Sequence, residues 1–368
     1  MNEPRVVVVG GGYGGARVAK LLDDVADVTL VEPKDAFVHS AGALRAAVDP
    51  AWEDRVFYPY ENLLARGRVV HEYAQSVSPH EVRLSVTGAI AADYLVLATG
   101  AAYPFPAKFI ESAASVARAR LARLRLTLAA ADRALLVGAG PVGLELAGEL
   151  STAFPGLGIT IVDRAPDVLT TWDYQPGLRS SVRSQLEARG VVFELGSPLG
   201  DLPPQDVGEA GQFTVHTLDG RRIDAQVWFR CHGNLPALDY LGPQLAAARV
   251  GEGGLAVTPT LTVEGFSTVF AVGDATTIRE PKRASAARAH ADVVAANIRA
   301  LIEGREATQT YSAAPELIVL ALGPQGGAAQ LVDSDGTRRI LGPAQTSALK
   351  GIDLHSADVA ELFGPVPA

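Results

Sequence analysis

Two glycine clusters constrain this chain more than any other feature. Gly10-Gly11-Gly12-Tyr13-Gly14-Gly15 and Gly138-Ala139-Gly140-Pro141-Val142-Gly143 both fit the spacing G-x-G-x-x-G, and 128 residues separate their first glycines. Each follows a short apolar run, Arg5 to Val9 and Leu135 to Val137. Each precedes a stretch of helical patterning, Ala16 to Leu22 and Leu144 to Leu150, and a second apolar run closes each unit, Val28 to Val31 and Ile159 to Val162. Strand, glycine turn, helix and strand together begin a parallel sheet with helical cover. The same grammar twice predicts an internal repeat.

The glycines have separate duties in such a unit. In the first, Gly10 permits the tight turn, Gly12 lets a pyrophosphate approach the backbone, and Gly15 lets helix pack on strand. Tyr13 and Gly14 open the helix, whose N-terminus offers N–H donors and a partial positive charge. The motif also needs an acid at the end of its second strand, about 20 residues on, and Glu32 is there for a ribose hydroxyl. In the second unit Gly138, Gly140 and Gly143 repeat the pattern around Pro141 and Val142, with Asp163 in the acidic position. Asp163 favours the free 2′-hydroxyl of NAD, whereas Arg164 beside it suits the 2′-phosphate of NADP; the reading leans toward NADH. Glu145 lies on the first turn of the second helix, where a carboxylate complementing the dipole and a place beside the nicotinamide weigh equally. Two dinucleotide cradles in one chain imply that one nucleotide is a bound flavin and the other a hydride donor, NADH or NADPH. The fold class is α/β, with two Rossmann-like domains.

The bulk numbers agree. A length of 368 residues suggests two or three domains. The net charge of −9 is opposite to what phosphate neutralisation needs, so nucleic acid is excluded as a partner. The histidines show no ligand spacing and there is no C-x-x-C, so no metal site is expected. The lone Cys231 fits a buried core position in a reducing compartment. The chain enters its first strand by Arg5, leaving no room for a signal peptide, and Asn2 stands where N-myristoylation needs glycine. Apolar runs such as Leu317 to Leu322 fall far short of the ~20 residues that span a bilayer. The expectation is cytoplasmic, with peripheral membrane contact through the C-terminal segment left open and no oligomeric state implied. Leu121, Leu124 and Leu128 recur at helical spacing, and Arg118, Arg120, Arg123 and Arg125 read as the solvated face of that helix.

A third piece narrows the reading. Val269-Phe270-Ala271-Val272-Gly273-Asp274, with the turn Ala98-Thr99-Gly100, completes an order that resembles the pyridine nucleotide-disulphide oxidoreductase superfamily. The resemblance implies that Asp274, after Gly273, binds the ribityl chain of FAD. It implies that the Ala-rich helix from about Ala284 to Ile302 directs its N-terminus at the flavin pyrimidine edge, and that Ala98, Thr99 and Gly100 mark the crossing out of the FAD domain.

Pro33 to Ser40 with Ala43-Leu44-Arg45-Ala46, Pro104 to Phe109, Val263-Glu264-Gly265, Glu280-Pro281-Lys282, and Thr346-Ser347 with Lys350 resemble the ferroptosis-suppressor, AIF-like flavoproteins. Type II NADH dehydrogenases look like more distant relatives. The family implies NAD(P)H-dependent reduction of a quinone through FAD. It implies an FAD domain of residues 1–105 and 245–305, an NAD(P)H domain of 106–244, and a small C-terminal α+β segment of 306–368. It places Arg45 in the flavin site, the strand around Tyr73 by the adenine through its backbone, and Lys108 near the crossover. For Lys108 a surface linker lysine is the competing reading.

No catalytic base is needed, because the flavin carries the chemistry, and His39 reads as structural. The disulfide reductases of the superfamily relay electrons through a cysteine pair, which one cysteine cannot supply. A reductase for a small iron–sulfur protein, or an NADH-sensing protein with little turnover, are the alternatives to a quinone reductase.

Overall fold

The structure is a computed structural model that describes residues 3–251 and 253–364. Val6, Val7 and Val8 are wholly buried. Such a run suits a parallel strand, because crossover helices cover both faces of its sheet. Five parallel strands form the first sheet, in the order Val269–Ala271, Tyr94–Leu97, Arg5–Val9, Asp27–Val31, Arg68–Val70. The second sheet has four parallel strands, in the order Val227–Arg230, Arg133–Val137, Gly158–Asp163, Val192–Leu195. Taken outward from each glycine strand, four strands match in order, and Val269–Ala271 is an added edge strand of the first sheet.

Helices Tyr13–Leu22 and Pro141–Ala153 follow the glycine turns. Helix Ala284–Ile302 returns the chain onto the first sheet against Tyr13–Leu22. A Cβ on Gly14 would lie 2.9 Å from Val272 and 3.2 Å from the Ala287 carbonyl, so only glycine allows that approach. The two passes between units run side by side, Ala101–Ala102 pairing antiparallel with Leu235–Pro236.

The C-terminal segment has an antiparallel sheet of Ile318–Ala321, Gly327–Val332 and Arg338–Leu341. Its hairpin presses on the second unit, where a Cβ on Gly148 would meet Leu322 Cα at 2.5 Å. Its last helix, Ser356–Phe363, sends Phe363 into the first unit, 4.6 Å from the ring centre of Phe37. It thus joins both Rossmann-like units. Among the described residues no helix is long and apolar enough to cross a membrane.

Tyr73 immediately precedes strand Ala74–Ser78, its carbonyl accepts the Ser85 N–H at 3.0 Å, and its side chain is half exposed. The Glu72 N–H turns back to the Val70 carbonyl, and the Glu72 carboxylate accepts the N–H of Val86 at 2.7 Å. On helix Ala114–Ala130 the leucines are buried as predicted, but the arginines are not merely solvated. Arg118 pairs with Asp54, Arg120 with Glu111, Arg123 with Glu209 and Arg125 with Glu53.

Candidate active site

The glycines of each cradle divide into two kinds. Gly10 has φ +100, and a Cβ there would sit 2.6 Å from the Ala98 carbonyl. A Cβ on Gly15 would lie 1.8 Å from the Gly10 carbonyl. Gly138 and Gly143 repeat this at 2.9 Å from the Cys231 carbonyl and 2.0 Å from the Gly138 carbonyl. These four are demanded by the fold itself. At Gly12 and Gly140 a Cβ would have nothing within 4 Å, so the protein's own packing does not demand glycine there. Each faces open space beside a helix N-terminus, which is the shape and polarity a pyrophosphate requires.

The acids close the cradles. Glu32 accepts the Gly11 N–H at 2.7 Å and the Lys34 N–H at 3.0 Å. Asp163 accepts the Ala139 N–H at 2.7 Å and the Ala165 N–H at 2.8 Å. Each carboxylate is thereby fixed at its strand end with lone pairs to spare. The buried Tyr60 hydroxyl, donating to the Gly11 carbonyl at 2.8 Å, adds a clamp to the first loop. Arg164 is exposed beside Asp163.

The turn Ala98-Thr99-Gly100 has a twin. The Ala98 N–H donates to Val9 and the Cys231 N–H to Val137, both at 2.8 Å, and both carbonyls back onto the first glycine of their cradle. Cys231-His232-Gly233 is therefore the second unit's counterpart. Burial pushes the Cys231 thiol up to about 12, so it stays protonated and unreactive. Thr99 donates to the Ala237 carbonyl at 2.7 Å and lies 2.9 Å from the Tyr240 hydroxyl, tying the outgoing pass to the returning one.

Lys108 is no free linker lysine. Its Nζ donates to the Ala101 carbonyl at 2.6 Å and stands 3.9 Å from Asp274 Oδ2. Burial lowers its pKa, while Asp274 opposes that shift. Glu145 meets Lys350: Nζ to Oε1 is 2.5 Å, and the same oxygen accepts the Ala321 N–H at 3.1 Å. Lys350 lies in a short π-helical stretch, Ser347–Gly351, and also donates to the Val319 carbonyl.

Arg45 is held by protein partners. Its Nε and Nη2 donate to Glu149, and its Nη1 to the Gly351 carbonyl at 2.6 Å. All three guanidinium nitrogens thus have protein partners, one in the second unit and one in the C-terminal segment. Burial pushes the Glu149 carboxyl up, and Arg45 opposes it. Motif reading missed Glu149, four residues beyond Glu145 on the same helix.

His39 is buried, with Nε2 2.9 Å from the Leu354 carbonyl and Nδ1 2.8 Å from the Tyr13 hydroxyl. A carbonyl can only accept, so the proton is on Nε2 and Tyr13 donates to Nδ1. Burial lowers its pKa to about 4. This neutral, doubly bonded histidine ties helix Tyr13–Leu22 to the C-terminal segment.

Residues 4–291 match the family model described as pyridine nucleotide-disulphide oxidoreductase. The chain belongs to this family. It is an oxidoreductase with FAD as cofactor and NADH or NADPH as co-substrate. The narrower resemblance holds as well. Ferroptosis suppressor protein 1 of Taeniopygia guttata is 30% identical over 338 residues, covering 89% of this chain and 88% of that one. Apoptosis-inducing factor homolog B of Dictyostelium discoideum is 28% identical over 387 residues, covering 100% of this chain and 98% of the relative. Among solved structures, the water-forming NADH oxidase of Lactobacillus brevis bound to NADH aligns with TM-score 0.71 at 19% identity, over 89% of this chain and 75% of that chain. The ferredoxin reductase of Rhodopseudomonas palustris aligns with TM-score 0.68 at 18% identity, over 89% and 88%. At such identities these two share the fold alone. Members of this family that reduce disulfides need paired thiols, and this sequence has the single Cys231.

Proposed function

We propose that the protein is an NADH-dependent quinone reductase, with FAD on the first cradle and NADH on the second. When bound, FAD accepts a hydride and delivers its electrons to the acceptor. The chain's own part is to bind, orient and balance charge.

Gly10, Gly12, Tyr13, Gly14 and Gly15 would cradle the FAD pyrophosphate, with Glu32 toward the adenosine ribose. Asp274 would hold the ribityl chain, with Lys108 beside it and Ala98, Thr99, Gly100 and Gly273 shaping the wall. Gly138, Gly140, Pro141, Val142 and Gly143 would cradle the pyrophosphate of NADH. Asp163, fixed by two backbone N–H groups, would accept from its ribose, while the exposed Arg164 stays outside. Glu145, paired with Lys350, would face the nicotinamide side.

The observation that carries this reading is the matched pair of cradles, in which Gly12 and Gly140 alone are not required by the protein's own packing. The resemblance to ferroptosis-suppressor flavoproteins across most of the chain supports the quinone. Steady-state kcat/KM for NADH and NADPH across several quinones tests it. The expected result is a preference for NADH and turnover with quinones faster than with oxygen. A failure of every quinone to outrun oxygen removes the quinone assignment.

A further inference from the structure

The turn that carries Asp274 is held from behind. Gly273 has φ +63, and its N–H donates to Nδ1 of His290 at 3.0 Å. His290 lies on helix Ala284–Ile302 with no solvent exposure at all. Because Nδ1 accepts, the proton of the neutral ring must sit on Nε2, which stands 2.9 Å from Oε1 of the buried Glu280. The other Glu280 oxygen accepts the Tyr311 hydroxyl at 2.6 Å, and the Tyr311 ring stands edge-on to His290 with centres 4.2 Å apart. Below the turn, the Thr276 N–H and hydroxyl both donate to the Gly273 carbonyl.

A buried carboxylate, a buried imidazole and a buried tyrosine hydroxyl are costly to assemble unless each satisfies another. Here Tyr311 donates to one Glu280 oxygen and the Gly273 N–H donates to His290, while the 2.9 Å approach of His290 Nε2 to the other Glu280 oxygen is a close contact without hydrogen-bond alignment. The Gly273 N–H on Nδ1 leaves the proton of the neutral ring to Nε2, and the nearby Glu280 carboxylate favours that form electrostatically. The ring's free lone pair is therefore fixed on the backbone that precedes Asp274.

We propose that His290 is a positioning residue that, through the Gly273 N–H, holds Asp274 in the setting that binds the ribityl chain of FAD, with the Glu280 carboxylate behind it favouring the Nε2-protonated ring. This rests on the reading of Asp274 as a flavin partner. Neither residue touches the cofactor. Their contribution is to make the Gly273–Asp274 turn rigid before FAD arrives, so that binding orders less of the protein.

The test separates the two ends of the imidazole. In His290→Asn the amide oxygen falls near the place of Nδ1 and can still accept from Gly273. In His290→Gln the amide falls near Nε2, and the Gly273 N–H loses its acceptor. Flavin-stripped wild type and both variants are titrated with FAD by fluorescence quenching, and the melting temperature of each apoprotein is recorded. A positioning role predicts an FAD affinity within about threefold of wild type for H290N and a loss of about tenfold or more for H290Q, with similar apoprotein melting temperatures. Equal losses in H290N and H290Q, or FAD affinity unchanged in H290Q, overturn the proposal. Wild-type apoprotein that takes up no FAD overturns the cofactor assignment, and the proposal with it.

Discussion

Lys350 Nζ stands 2.5 Å from Glu145 Oε1, although 205 positions separate them in the chain. Both side chains are largely buried, and removing either leaves a charge poorly compensated. Glu145→Gln and Lys350→Met should each slow flavin reduction by NADH about tenfold, without loss of bound FAD. The double variant should be little worse than either single one, because the two act as a pair. Stopped-flow absorbance with a parallel flavin assay reads both numbers. Additive losses in the double variant would show two independent roles.

The second cradle predicts opposite outcomes for two neighbouring glycines. Gly140 has nothing within 4 Å of a Cβ and an extended backbone that alanine accepts. Gly143 would drive its Cβ to 2.0 Å from the Gly138 carbonyl. Gly140→Ala should leave unfolding free energy unchanged and raise KM for NADH about tenfold, as a methyl takes the pyrophosphate's place. Gly143→Ala should lower stability by about 2 kcal/mol or more, through strain in the helix–strand contact. Chemical denaturation and NADH titration of each variant separate the effects. A destabilised Gly140→Ala would mean that the open space belongs to the fold.

Arg45 and Glu149 predict a stability result. Glu149→Leu alone leaves the Arg45 guanidinium buried without its carboxylate and should cost about 3–5 kcal/mol. Arg45→Met with Glu149→Leu removes both charges and should recover most of that loss. Urea unfolding of wild type, single and double variants measures it. A double variant as unstable as the single one would show that shape, not charge balance, sets the value of the pair.

His39 predicts a pH dependence. Its folded pKa, about 4, lies below the ordinary value of 6.5. The unfolded chain therefore binds the proton more readily between those values. The stability His39 contributes is full above pH 6.5 and is lost as pH falls toward 4, amounting to about 3 kcal/mol at 1.36 kcal/mol per pKa unit. Other groups titrate in this range, so the quantity to follow is wild type minus His39→Gln. That difference should shrink by about 3 kcal/mol between pH 7 and pH 4. A constant difference would mean that folding leaves the proton affinity of His39 unchanged.

What the sequence made legible was local and repetitive. The G-x-G-x-x-G spacing, Glu32 and Asp163 belong to single strand–turn–helix–strand units, whose geometry is set within about 30 residues. The helix Ala284–Ile302 was legible from its Ala-rich composition. What stayed hidden depends on contacts between units. Lys350 reaches Glu145, Glu149 reaches Arg45, and His290 reaches Gly273 only after the sheets, helices and C-terminal segment have packed. No period in the chain encodes those meetings. Cys231-His232-Gly233 stayed hidden too: its residues share too little with Ala98-Thr99-Gly100 to be seen without the sheet order.

The most direct test of the central claim, that one cradle holds FAD and the facing one delivers NADH to it, is an anaerobic double-mixing experiment on the purified flavoprotein. NADH is added first, then a short-chain quinone, while the flavin absorption is followed. The account predicts that the flavin band bleaches with NADH and returns on adding quinone, faster than with oxygen. A bound flavin that NADH cannot bleach would contradict it.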